Sequence, residues 1–599
     1  MERLTAGCSD HAAGRAEDVP KRVRREIFRQ QQSDMVYLKQ LRPGGGRSCL
    51  FQRIRYIASE RKKMEFQKFL YGTAYHPERY AARDDLLRQD IELMKQLRFN
   101  LVLLKADALR YAQGVGGGEQ WLLDLIRDLA DDGIETAVEI SGALPSKTLL
   151  RKLDSHDRVR FFLASEEEDE ATAALVRRLK GIGLEKPVAA TMSKDLILSG
   201  DRELADAADI LCFSSNPDWV TGVPMETERK VSYLEDRIRA VKHSSYIKCN
   251  INPVSTRSSG VRRLKRPGTL AQEVLQSAAH GARAFLYREW RQPLTGPDRY
   301  GDALIGHSGR INDRIMKEAC QIGRMSRELN EIVDAREAAK TAVLPGSADE
   351  WHAAYRYYSA LREGGLPVDI IDQSADFAAY SLIIAPGMRT LEEGTAEKIR
   401  SFVAGGGTWF GNLSPASEGA DGSCFEGDLP YRLTDVFGMR ITDSERLADG
   451  ETVPLTASSD FRGRYGASHV CELLTVTDAE IVMKYDGQFY RGTPVFTRKQ
   501  FGKGYAYYLA TDASGPLLED LCGKVTGGLH RMPRSKSMEE ISVQRLDSHD
   551  AEYVIFQNFS GKEKRLPVEY NKLDVIFGYD PLPVFGAMVL KVPKGKRED

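Results

Sequence analysis

The sequence predicts an α/β chain built on a (β/α)8 TIM barrel, followed by a second βα series and a small C-terminal antiparallel β-sandwich. Three observations carry that expectation. From Phe69 onward, short apolar runs alternate with amphipathic helical stretches, the pattern of βα units on a parallel sheet. Eight such runs fit within about 250 residues, the repeat number and length of a TIM barrel. No glycine-rich dinucleotide turn follows the first run, which argues against an open doubly wound sheet.

The runs are, in order, "FLYGTAY", "NLVLLKA", "ETAVEIS", "VRFFLAS", "PVAATMS", "DILCFSS", "YIKCNIN" and "AFLYREW". Helical patterns lie between most of them. In "DDLLRQDIELMKQLR" the residues Leu86, Leu87, Ile91, Met94 and Leu97 share one face. "EQWLLDLIRDLADDG" ends on Gly133, a residue suited to a helix C-terminus. These elements place the barrel at 64–337. A second βα series, from "TAVLPG" through "YSLIIAP" to "GTWFGN", occupies 338–527 and includes two strands around a Gly-Lys-Gly turn. The last stretch, 537–599, alternates with period two, and its aromatics read as core.

Residues 1–63 differ from the rest. They hold 15 Lys/Arg against 7 Asp/Glu, a net of +8 that leaves −9 for the remainder. They lack a sustained apolar period and the apolar segment of a secretory signal, so a disordered basic extension is expected, with Met64 a natural start. The whole chain has 599 residues, 42% hydrophobic and 29% charged, as ordinary globular proteins do. A net charge of −1 gives no electrostatic reason to expect nucleic acid or an anionic membrane as partner. No apolar run approaches a membrane span. Eight cysteines without CxxC spacing suggest neither a zinc ribbon nor a disulfide framework, and a cytoplasmic protein is expected.

Chemistry in a TIM barrel sits at the C-terminal ends of the strands. Those ends present His76 and Glu78, Asp107, Glu139, Ser165 and Glu166, Ser193, Ser214 to Asn216, Asn250 and Asn252, and Glu289. Carboxylates and amides converging on one mouth suit a sugar, whose hydroxyls need many polar partners. No His/Cys/Asp group has metal-ligand spacing and no phosphate loop is present, so neither a metal nor a cofactor is expected.

Several blocks resemble the glycoside hydrolase family 42 β-galactosidases. "YGTAYHPERY" is similar to the family's opening Y-x-P-E-x-W signature. "LKRPG" (264–268), "QSAAHGA" (276–282), "EWRQ" (289–292) and "HSGRI" (307–311) match later blocks in order and at similar spacing. The resemblance covers nearly everything after Met64. It implies a flavodoxin-like trimerisation domain for 338–527, a homotrimer, a carbohydrate substrate, and hydrolysis of terminal β-linked sugars by a retaining pair of carboxylates.

Carried over residue by residue, the resemblance places the acid/base at Glu166, with Ser165 where the family has Asn. Counting back from the KRPG block without a gap, the nucleophile position holds Asn250, an amide that cannot act as a carboxylate nucleophile. "FSSNP", 213–217, replaces an aromatic-Asp-x-Tyr-Pro block, and the stretch between the fourth and fifth strands is short. Glu289, beside Trp290 at the tip of the eighth strand, can approach the space left at Asn250. An ion pair with Arg288 or Arg291 is its structural alternative. The expected site is therefore Glu166 and Glu289 as catalytic residues, with His76, Glu78, Asp107, Ser165, Asn250 and Trp290 binding substrate. The alternative function is a catalytically inactive relative that binds a glycan or serves as an assembly partner.

Overall fold

The computed structural model describes residues 66–594, apart from 201, 220–221, 259–260, 312, 347–350 and 528–537. The expected basic extension, 1–63, lies outside the described residues. Eight parallel strands close a barrel: β1 (Leu70–Tyr75), β2 (Leu101–Leu104), β3 (Glu135–Ile140), β4 (Val159–Ala164), β5 (Val188–Thr191), β6 (Ile210–Phe213), β7 (Tyr246–Ile251) and β8 (Ala282–Tyr287). β8 closes onto β1 from Leu70↔Ala284 to Thr73↔Tyr287. Every residue of β1 and β8 is buried, because side chains fill the barrel and helices cover its outside. At Gly72 an added Cβ would lie 1.6 Å from the Leu101 carbonyl oxygen, so the approach of β1 to β2 requires glycine.

The helix Asp84–Gln96 turns Leu87, Ile91 and Met94 inward, as its period predicts. Its buried face also contains Asp90, which no apolar pattern selects. Arg291, just beyond β8, neutralises that carboxylate through contacts of 2.5–3.0 Å.

The second series is one mixed sheet. Its parallel half runs Val368–Ile370, Thr341–Val343, Leu382–Pro386, Thr408–Asn412 and Gly504–Leu509, a 2-1-3-4-5 order in which the first strand of the series lies second. Flavodoxin-type sheets have this order. Antiparallel strands between Met439 and Phe501 extend the same sheet past its Gly504–Leu509 member, a feature the flavodoxin-like expectation did not contain. The C-terminal strands make a single five-stranded sheet, edged by Arg336–Glu337 from the end of the barrel segment. One face, with Tyr553, Ile555 and Val589, joins the barrel core, while Val554, Phe556 and Leu590 build a small core on the other. The barrel thus supplies the layer that a second sheet would supply in the expected sandwich.

The three parts meet at a buried polar junction. Helices α1 (Pro224–Lys242) and α2 (Thr269–Ala279) flank β7, and α3 (Trp351–Glu363) is the first helix of the second series. Asp236 of α1 accepts from His280 Nδ1 at 2.8 Å, from Tyr358 of α3 at 2.6 Å and from Arg239 at 3.1 Å. The Gln544 amide nitrogen, from the C-terminal sheet, is 2.6 Å from His280 Nε2. Arg362 of α3 holds Glu337 at 2.6 Å. Burial pulls His280 toward the neutral form, but the Asp236 carboxylate outweighs it and raises the imidazole pKa. Burial opposes ionisation of Asp236 as well, yet His280 and Arg239 hold that carboxyl well below the usual range.

Candidate active site

A cavity of about 520 Å³ opens at the C-terminal ends of the barrel strands. β1 leads into it with His76 and Arg79, β2 with Lys105, and β6 with Ser214 and Asn216. β7 contributes Asn250, and β8 contributes Arg288 and Glu289, with Asp298 in the loop beyond.

His76 organises one wall. Its ring follows β1 directly and is buried, with Nδ1 3.0 Å from Glu78 Oε1 and 3.7 Å from Asp107 Oδ2. On its other edge Nε2 is 3.5 Å from Glu289 Oε1. Burial disfavours the imidazolium, but hydrogen bonds to Glu289 and Glu78 more than compensate, and the His76 pKa is raised. Arg79 stands 3.8 Å from Glu289 and 3.9 Å from Glu78. Glu289 is therefore held by cations from β1, the adjacent strand. The arginines expected as alternatives go elsewhere: Arg288 to Asp298 at 3.0 Å, and Arg291 to Asp90.

The fold also gathers His76, Glu78 and Asp107 so that one ligand atom from each lies within 4.8 Å of the others, a grouping that sequence spacing did not reveal. Arg110 bonds to Asp107, and Arg79 lies beside Glu78. The charge of the cluster is met by side chains, and it reads as an ion-pair network. Lys105 is paired with Glu139 at 2.6 Å.

Not every expected residue reaches the cavity. Glu166 Oε1 accepts from the Gly142 N–H at 2.7 Å, and Glu78, Asp107, Ser165 and Glu166 do not belong to the lining. β4 and β8 are opposite members of the closed ring, and each carboxylate is engaged on its own side, Glu166 by the Gly142 N–H and Glu289 beside His76. Trp290 is a correction to the substrate-binding set. Its side chain is fully buried in an edge-to-face contact with Phe99 and is not part of the lining. Asn250 does face the cavity, from an exposed position at the tip of β7. The strand-end pattern included Asn216 but not Arg79, Lys105 or Asp298. Arg79 lies inside the "YHPERY" block, whereas Asp298 sits in a single 3-10 turn, Pro297–Tyr300, too short to show a period.

A barrel whose strand ends carry a polar, carboxylate-bearing mouth has the place where TIM-barrel enzymes carry their chemistry. Two family models identify it further. The β-galactosidase model of glycoside hydrolase family 42 matches residues 160–329, and the β-galactosidase trimerisation-domain model matches 333–530. The chain belongs to glycoside hydrolase family 42. It is 25% identical over 417 residues to the β-galactosidase BglY of Alicyclobacillus acidocaldarius, covering 65% of this chain and 61% of that protein. To the β-galactosidase Pbg of Clostridium perfringens it is 26% identical over 394 residues, covering 61% and 57%. The chain thus spans about three fifths of the length of these relatives. The crystal structure of a cold-adapted β-galactosidase from Rahnella sp. R3 superposes with a TM-score of 0.77 at 20% identity, covering 89% of this chain and 99% of that one. At that identity the likeness establishes the fold. Among the described residues, no helix is long and apolar enough to cross a membrane.

Proposed function

We propose that the protein is a glycoside hydrolase that removes terminal β-linked galactose at the mouth of its barrel, with Glu289 as the working carboxylate. The observation that carries this reading is the position of Glu289 in a cavity of about 520 Å³, between His76 and Arg79. The β-galactosidase relatives support the substrate class. Retention requires a second carboxyl group about 5–5.5 Å away, and inversion one about 6.5–9.5 Å away. Asp298 is the other carboxylate of the lining, while Glu166 enters only by giving up the Gly142 N–H. A panel of aryl glycosides tests the proposal. The parent is expected to hydrolyse the β-galactoside, and Glu289→Gln to lose at least about a hundredfold, or about 2.7 kcal/mol of barrier. A parent that turns over no member of the panel refutes it.

Asn250 favours a second reading, a non-catalytic glycan binder, because the β7 wall offers an amide where the family resemblance places a nucleophile. Binding of galactose by calorimetry without turnover is its signature. Asn250→Glu separates the two readings. In a hydrolase that uses Glu289, a second carboxylate nearby raises one of the two pKa values and lowers activity. We further propose a homotrimer, supported by the trimerisation-domain match. Light scattering is expected to return a trimer of 67.0 kDa subunits, and a monomer at micromolar concentration contradicts this.

A further inference from the structure

β6 stops short of β7. Their last ladder pair is Phe213 with Lys248, and β7 continues to Ile251 without a further ladder pair to β6. The Asn216 side chain fills that gap. Its Oδ1 accepts from the Asn252 N–H at 3.1 Å, and its Nδ2 donates to the Asn250 carbonyl at 3.5 Å. A carboxamide carries the same acceptor and donor as a peptide unit, so the side chain extends the sheet where the main chain has left it. On the opposite edge the Arg288 N–H donates to the Ile251 carbonyl at 2.9 Å.

Between these two clamps Asn250 has φ 54°, in the left-handed region that asparagine tolerates better than most residues. The register against β8 slips at the same place: Lys248 to Ile251 on β7 spans the partners Phe285 to Tyr287, so β7 carries one extra residue. That extra residue decides where Asn250 points. A regular strand would put it on the face of Lys248, which turns outward to Glu235 of α1 at 2.9 Å. The bulge turns it into the cavity instead.

We propose that Asn216 is a positioning residue. By standing in for the missing β6 ladder pair, it holds the β7 bulge that delivers the Asn250 carboxamide to a sugar hydroxyl beside Glu289. The sugar contact rests on the galactoside reading above; the backbone role does not. Backbone strain persists only where its surroundings over-determine it, and Asn216 is one half of the clamp.

The experiment is a double-mutant cycle on the full chain. With an aryl β-galactoside, Asn216→Leu is expected to raise KM about tenfold and leave kcat within about twofold, the size of one lost hydrogen bond in ground-state binding. In an Asn250→Ala background the same substitution is expected to add nothing. An unchanged KM, or an equal rise in both backgrounds, overturns the proposal. Should the parent hydrolyse no galactoside, the functional reading fails and the positioning role is decided by the crystal structure of Asn216→Leu. Residue 250 relaxed to negative φ supports it, and an unmoved residue 250 overturns it. If Asn216→Leu does not fold, adding Asn250→Gly is expected to restore folding, because glycine adopts this φ freely. A double variant that still fails overturns the proposal.

Discussion

The barrel mouth and the three-part junction are built from the same side-chain types, and they are used differently. Each centres on a buried histidine with a raised pKa, flanked by carboxylates and arginines. At the junction the partners lie close: His280 to Asp236 at 2.8 Å, Tyr358 to Asp236 at 2.6 Å, Arg362 to Glu337 at 2.6 Å. At the mouth the contacts of Glu289 are long, 3.5 Å to His76 and 3.8 Å to Arg79, and a cavity stands beside them. Close contact in a dry interior means each group depends on its partner, and losing one leaves the other buried and unpaired. Loose contact beside open space leaves hydrogen-bonding capacity for a ligand. Glu289 differs from the carboxylates of the junction in the spacing of its contacts rather than in the kinds of partner it has.

The largest effect is expected where the staple is cut. Asp236→Ala leaves His280, Arg239 and Tyr358 without their shared acceptor and is expected to cost about 3–5 kcal/mol in urea unfolding. Asp107→Ala at the mouth, where the side chain is half exposed, is expected to cost less than about 1 kcal/mol. Equal losses would erase the distinction. Activity should divide the regions the other way. Glu289→Gln is expected to reduce kcat/KM by at least about a hundredfold while the unfolding midpoint holds, and a shifted midpoint would make Glu289 structural.

The two histidines sharpen the comparison further. Each binds its proton more tightly folded than unfolded. Each therefore contributes stability that is complete below the ordinary imidazole value of 6.5 and is lost as pH rises through the raised folded value. Proton NMR titration is expected to place both above 6.5. Galactose should move the His76 resonance and leave that of His280 in place. A ligand shift confined to His280 would locate binding at the wrong end. The smallest effect is expected for Glu166→Gln, whose turnover should stay within about threefold of the parent, under 1 kcal/mol of barrier. A hundredfold loss would show that Glu166 swings from Gly142 into the cavity during the reaction.

By itself the sequence determined the eight strands, the order of the parts and most of the strand-end polar groups. Those properties follow from local periodicity: a strand buried on both faces must be apolar along its length, and the apolar run gives way to polar residues at its C-terminal end. His76, Asn250 and Glu289 were legible for that reason. Tertiary structure alone decided which of those groups share a cavity. Glu166 and Glu289 are equivalent in pattern but stand on opposite strands, each bonded to a different neighbour. Trp290 is one residue from Glu289 yet is buried and not part of the lining. Asn250 faces inward through one extra residue in β7 and a clamp from Asn216, thirty-four positions away in the chain. Long-range hydrogen bonds and register slips of this kind leave no period in the sequence, because they depend on where two distant segments stop pairing rather than on what either segment is made of.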